Sequence, residues 1–202
     1  NLSIQTNVIE AAFHNNVQHL VFLGSSCIYP RDCPQPIKEE YLMSGQLELT
    51  NRAYAVAKIA GIETCWAYNR QFGTRYIAVM PTNLYGPGDN YDSDNSHVLP
   101  ALIRKIHEAK KLGKPEVMVW GTGSAWRDFL YSEDLAEACL FLLDAPKKSI
   151  AVFFGDSCPP LINVGNGIEL QIYDLVNKIA NIIDYRGKLN WDHSKPDGTP
   201  RK

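Results

Sequence analysis

The sequence predicts an α/β fold with a parallel sheet. Short apolar runs such as 19–23 and 76–80 have the length of strands buried on both faces. These runs alternate with longer segments of helical period, as strands joined by crossover helices do. With 202 residues, 45% hydrophobic and 21% charged, the chain has enough apolar material for a sizeable core.

In order, Leu2, Val8, Ile9, Ala12 and Phe13 give a partial helical stripe, and a helix is expected over about 3–16. A strand follows at 19–24, closing on Gly24-Ser25-Ser26. Residues 25–50 contain Pro30, Pro34 and Pro36 and read as loop and short turns. A helix over about 51–72 ends near Gly73, and the strand at 76–80 is expected to break at Pro81. After a polar loop from Tyr85 to Asn95, Ser96 is the expected cap of a helix from Val98 to about Lys111. Strands are expected at 116–120 and 129–131, and a helix from Ser132-Glu133-Asp134 to about Ala145. An irregular stretch covers 146–160 and a strand 161–164. An amphipathic helix over 170–184 turns Ile172, Leu175, Val176, Ile179 and Ile183 inward, and a last strand covers 188–191.

A formal net charge of −2 gives no reason to expect nucleic acid or an anionic membrane as partner. No apolar run reaches the roughly 18 residues of a transmembrane helix. The five cysteines are scattered and form no C-x-x-C pair, which argues against a zinc site or a disulfide framework and for a reducing compartment, the cytoplasm by default. Asp89, Asp92 and Asp94 fit no calcium-loop spacing and read as loop solvation, so no metal is expected.

Chemistry is concentrated first in Tyr54-Ala55-Val56-Ala57-Lys58. Tyrosine and lysine four residues apart share one helix face. A phenol titrates near ~10, and an ammonium beside it favours the phenolate, making an acid/base of a residue otherwise too weak at neutral pH. Alone the pair is commonplace on solvated helices. Ser25 adds weight, since it follows a strand at the carboxyl edge where open α/β sheets hold their ligands. Together the three residues resemble the Ser-Tyr-Lys triad of the extended, nucleotide-sugar branch of the short-chain dehydrogenase/reductase superfamily.

Five spaced strings narrow the resemblance. Ser25-Ser26-Cys27-Ile28-Tyr29-Pro30, the run from Met80-Pro81-Thr82-Asn83-Leu84-Tyr85 to Pro87, Asn95-Ser96-His97-Val98, Val119-Trp120-Gly121 with Arg127-Asp128-Phe129, and the run from Ser194 to Lys202 closely resemble the GDP-L-fucose synthase family. That family comprises epimerase/reductases acting on GDP-4-keto-6-deoxy-D-mannose. The resemblance implies a Rossmann-like parallel sheet with a smaller α/β substrate-binding domain. The implied division is a dinucleotide-binding part over 1–95 and a mainly GDP-sugar-binding part over 96–202. Segments such as 127–145 and 161–165 are candidates to return to the first part. It implies NADP(H) as cofactor and a homodimer. A glycine-rich turn for the cofactor pyrophosphate is not found. Gly121-Thr122-Gly123-Ser124 lacks a third glycine, precedes no helix and reads as a tight turn. The phosphate-binding half is therefore expected upstream of Asn1, and the chain alone is expected to be an inactive fragment.

By the same resemblance, Ser25, Cys27, Tyr54, Lys58 and His97 are catalytic. A C4 ketone acidifies the hydrogens on C3 and C5, and inverting each centre needs one group to remove a proton and another to return it on the opposite face. The resemblance makes Cys27 the base and His97 the acid, with Tyr54 serving the C4 oxygen. Leu23, Gly24, Ser25, Ser26, Lys58, Pro81, Thr82, Asn83, Leu84 and His97 are the implied cofactor contacts. Lys105, Trp120, Arg127, Asp197 and Lys202 are the implied substrate contacts, where cations suit a diphosphate and an indole offers a stacking wall. Lys105 departs from the usual arginine and forfeits a bidentate grip. Another nucleotide-sugar epimerase or reductase remains open at this point. So do a cysteine hydrolase built on Cys27 and His97, which would leave Tyr54 and Lys58 idle, and a non-catalytic remnant that only associates with other subunits.

Overall fold

The computed structural model describes residues 1–92, 95–155 and 157–201. The chain forms two compact units: one takes Asn1–Thr82 and Ser132–Gly165, the other Asn83–Tyr131 and Asn166–Lys202. Each unit is thus assembled from two separated stretches, interleaved along the sequence, with 132–165 returning to the first unit.

In the first unit, strands β1 (His19–Leu23), β2 (Arg75–Pro81) and β6 (Leu161–Val164) form a parallel sheet in the order β1-β2-β6. Strand β2 is buried along nearly its whole length, which explains its unbroken apolar run. Pro81 ends this strand from within instead of breaking it earlier, and the next amide, Thr82 N, still donates to Val164 O at 3.0 Å. Helices α1 (Leu2–His14) and α2 (Arg52–Phe72) pack on each other, and α4 (Ser132–Asp144) packs against β1 in the same unit. Ile9, Phe22, Ile28, Ile62, Cys65, Tyr76 and Met80 form the core. Gly61 is required on α2, because a Cβ there would run into the Phe22 ring and the Gln5 side chain. The segment expected to be irregular, 146–160, contains a short helix α5 (Lys147–Ile150) and a 3₁₀ turn (Ala151–Phe153).

The second unit holds two small sheets. Strand β5 (Trp126–Tyr131) pairs in parallel with β3 (Asn83–Tyr85) and antiparallel with β7 (Glu169–Gln171), while β4 (Glu116–Trp120) pairs in parallel with β8 (Lys188–Asp192). The three-residue strands β3 and β7 are too short to leave a period in the sequence. Helices α3 (Val98–Lys111) and α6 (Ile172–Ile183) cover this unit's core, which includes Leu99, Ile106, Val117, Val119, Val176 and Ile179. On α6 the buried residues are Ile172, Leu175, Val176, Ile179 and Ala180, the expected amphipathic stripe, with Ile183 partly buried against it. Ser96 is not the cap of α3. The N-cap position is His97, whose carbonyl accepts Ala101 N at 3.0 Å and whose side chain makes no capping bond.

No described helix is long and apolar enough to cross a membrane. Among the described residues no cluster of His, Cys, Asp or Glu is placed to hold a metal ion. Asp89 and Asp92 accept from the backbone amides of Asn90 (2.7 Å) and Asn95 (2.9 Å) instead. Asp94 lies outside the described residues.

Candidate active site

In the first unit, the predicted residues gather at the carboxyl end of β1. Leu23, the last strand residue, is exposed. Gly24 is buried, with Met80 occupying the space a Cβ would need, and its amide donates to Val79 O at 2.8 Å. The chain then turns through a 3₁₀ turn, Ser26–Ile28, capped by Ser25, whose Oγ accepts from Cys27 N at 3.3 Å. A serine oxygen that accepts this bond keeps its own proton to donate. Ser25, Ser26 and Cys27 are all half-buried.

Helix α2 supplies the other half of the cluster. Lys58 Nζ donates to Leu23 O at 2.8 Å and stands 5.1 Å from the Phe22 ring centre and 5.8 Å from that of Tyr54. Burial holds the Lys58 ammonium below the usual lysine range. The lysine thereby ties the helix face bearing Tyr54 to the strand end bearing Ser25. At the start of α2, Asn51 Nδ2 lies 3.7 Å from Cys27 Sγ as a donor. Asn51 occupies the N-cap position of α2, yet its side chain makes no capping bond and is aimed at the thiol. Pro81 is buried and Thr82 half-buried at the end of β2, next to β1 in the sheet.

The remaining predicted residues belong to the second unit. Asn83 is half-buried and donates through Nδ2 to Asp128 O at 3.2 Å; Leu84 follows it on β3, and His97 is exposed at the start of α3. A pocket of about 610 Å³ within this unit is lined by Lys105, Trp120, Arg127 and Asp197, bringing together four of the five residues expected to contact substrate, spread over 93 positions of chain. Lys202, the fifth, lies outside the described residues. Lys105 Nζ is 5.8 Å from the Trp120 ring centre and Lys195 Nζ 5.6 Å from it. Partial burial pulls the Lys105 ammonium below its usual range. Burial does the same to the Arg127 guanidinium, opposed by the Asp197 charge.

Asp197 is held by the turn that fails as a phosphate loop. Thr122 donates to it through Oγ1 at 2.7 Å and through its amide at 2.7 Å, and these bonds keep the carboxyl below the usual carboxylate range. Gly121, at φ 83°, lies so close to Asp197 that a Cβ would strike its carboxylate. Thr122, Lys195 and Asn51 are thus site residues that the sequence reading did not single out. Only a Gly-Thr-Gly-Ser turn directly after Trp120 and a lysine two residues before Asp197 hinted at the first two.

Residues 1–165 match the model of the NAD dependent epimerase/dehydratase family. The whole chain is 54% identical over 202 residues to a GDP-L-fucose synthase 1 of Arabidopsis thaliana, covering 59% of that protein. Among solved structures, it superposes on a GDP-6-OMe-4-keto-L-xylo-heptose reductase from C. jejuni with TM-score 0.89 and 36% identity, over all of this chain and 66% of the other. A GDP-L-fucose synthetase from Naegleria fowleri bound to NADP superposes with TM-score 0.86 and 29% identity, over all of this chain and 61% of the other. The chain spans about three fifths of the length of the curated relatives it matches.

Proposed function

This chain belongs to the NAD dependent epimerase/dehydratase family, and we propose that the whole protein is an NADPH-dependent enzyme of the GDP-L-fucose synthase type. It epimerises GDP-4-keto-6-deoxy-D-mannose at C3 and C5 and reduces it at C4. The observation that carries this reading is the cluster at the end of β1, where Lys58 bonds Leu23 O beneath the Tyr54 ring and Asn51 meets the Cys27 thiol. A plain reductase needs the serine, the tyrosine and the lysine. A thiol supplied with a donor is what an additional proton abstraction would use.

Each side chain has a task in this proposal. Ser25 donates its free proton to the C4 oxygen, Tyr54 gives that oxygen its proton, and Lys58 keeps positive charge beside the phenol. Cys27 takes the proton from C3 and C5 in turn, and Asn51 stabilises the negative charge on its sulfur. His97 returns the proton. Leu23–Ser26, Lys58, Pro81 and Thr82 suit the nicotinamide end of NADP(H), because they lie at the carboxyl ends of two adjacent parallel strands with Leu23 exposed. Asn83, Leu84 and His97 are assigned to the same cofactor. When bound, NADPH supplies the hydride for C4. Lys105 and Arg127 bind the diphosphate, Trp120 stacks on the ligand and Asp197 accepts from its hydroxyls, with Lys202 assigned alongside them. The proposal extends to a homodimer in the cytoplasm.

The likeness to the C. jejuni heptose reductase favours a second reading, C4 reduction of a related GDP-ketosugar without epimerisation. The test is to incubate the whole protein with GDP-4-keto-6-deoxy-D-mannose in D2O, first without NADPH. Deuterium uptake at C3 and C5, followed by NADPH oxidation when the cofactor is added, is the expected result. Oxidation without uptake would leave the second reading, and neither event would overturn both.

A further inference from the structure

The 3₁₀ turn that carries Cys27 is held differently at its two ends. In front of it, Gly24 N donates to Val79 O at 2.8 Å, so Ser25 follows directly on a residue bonded to β2. Behind it stands Tyr29, 4% exposed and packed in the first unit's core. The Tyr29 hydroxyl donates to Asn163 Oδ1 at 2.6 Å, across 134 positions of chain. Cys27 lies two residues before Tyr29, with the buried Ile28 between them.

Asn163 sits on β6, an outer strand in the order β1-β2-β6. Its amide donates to Glu39 Oε1 at 2.9 Å and its Nδ2 to Ile37 O at 3.1 Å. One strand residue thus ties down three loop residues, Tyr29, Ile37 and Glu39. A side-chain amide suits this task, because it offers an acceptor to the phenol and a donor to the carbonyl at once. Burial, and after it the Glu39 charge, pushes the Tyr29 phenol well above the usual tyrosine range. The phenol therefore stays protonated at neutral pH and keeps donating to Asn163.

We propose that Asn163, through its bond with the Tyr29 hydroxyl, positions the Cys27 thiol for proton abstraction from the sugar ring. This rests on the reading of Cys27 as the base, and it adds two positioning residues which that reading does not assign. When the Tyr29 bond is lost, Ser25 keeps its place through Gly24 and the sheet. Cys27 instead loses the anchor behind it, and with it the placement that sets its sulfur 3.7 Å from Asn51 Nδ2. A displacement of about 1 Å is enough to cost up to about 10²-fold in rate. Epimerisation therefore depends on this bond, whereas hydride transfer at C4, served by Ser25, Tyr54 and Lys58, does not.

The test compares wild type with Tyr29→Phe in the whole protein; the variant keeps the ring in the core and removes only the hydroxyl. Two rates are read. One is deuterium uptake at C3 and C5 of GDP-4-keto-6-deoxy-D-mannose in D2O without NADPH. The other is initial NADPH formation from GDP-L-fucose and NADP⁺, in which C4 gives its hydride to the nicotinamide and the C4 hydroxyl proton goes to the Tyr54 phenolate. In Tyr29→Phe, uptake falls by roughly ten- to a hundredfold and the oxidation stays within about twofold of wild type. A fall of equal size in both rates overturns the inference in favour of a general structural role. Undiminished uptake overturns it while leaving Cys27 as the base, and a wild type that takes up no deuterium removes both. Adding Tyr29→Phe to Asn163→Ala lowers uptake no further, and a second fall of full size would overturn the pairing. Should Asn163→Ala not fold, the split between the two rates in Tyr29→Phe decides alone.

Discussion

Replacing Lys58 by methionine keeps the apolar stem and removes the ammonium, and the outcome follows from three contacts. The bond from Nζ to Leu23 O at 2.8 Å is charge-assisted, a class worth about 1.5–3 kcal/mol. The Phe22 and Tyr54 rings add about 0.5 kcal/mol each at partly solvated sites. Against this, burial already disfavours the ion, and water can reach Leu23 O once the lysine is gone, because Leu23 is 46% exposed. The net destabilisation at pH 7 therefore belongs at the low end, about 1 kcal/mol. The pH dependence has a definite sign. With its folded-state value below the unfolded one near ~10.4, Lys58 sheds its proton first in the folded state. Wild-type stability therefore gains on Lys58→Met as pH rises through that window. Urea unfolding followed by circular dichroism at pH 7, 8.5 and 10 measures both effects. A variant as stable as wild type at pH 7, or a gap that narrows toward pH 10, would refute the reasoning.

Tyr54→Phe keeps the ring against Lys58 and should change stability by less than about 0.5 kcal/mol. NADPH oxidation with the ketosugar should fall by roughly 10² to 10⁴ as the proton donor is lost, with GDP binding retained; steady-state kinetics beside calorimetry decides it. Cys27→Ala should abolish deuterium uptake at C3 and C5 while leaving the Ser25, Tyr54 and Lys58 positions untouched, and undiminished uptake by mass spectrometry would remove the thiol from the mechanism. Thr122→Val removes the hydroxyl bond to Asp197 Oδ2, costing about 0.5–1.5 kcal/mol at pH 6. Because that bond depresses the carboxyl, its stabilisation is complete above the unfolded value near ~3.9 and is lost as pH falls through the folded one. The variant should therefore show a weaker stability loss on acidification in a urea series from pH 6 to pH 3.

The sequence by itself determined the elements whose pattern is local and long. The apolar run of β2, the inward stripe of α6 and the one-face placement of Tyr54 and Lys58 on α2 follow from nearest-neighbour geometry with periods of two or 3.6. Spaced strings likewise pointed to Ser25, Cys27 and to Lys105, Trp120, Arg127 and Asp197, which line the second unit's pocket. Other features depended on contacts between residues far apart in the chain, for which local pattern holds no signal. The three-residue strands β3 and β7 exist only because β5 lies between them. Ser96 reads as a helix cap from residue type, and Asn51 as no more than the start of a helix. The fold turns Asn51 toward the Cys27 sulfur and leaves the buried Ser96 Oγ without a hydrogen-bond partner among the described residues. Thr122 reaches Asp197 across 75 residues because β4 and β8 pair in register, setting Trp120 opposite Asp192 and returning the chain beside the turn. Propensity acts over a few residues, whereas the hydrogen bonds that hold a site are chosen by whichever donor and acceptor the tertiary packing brings together.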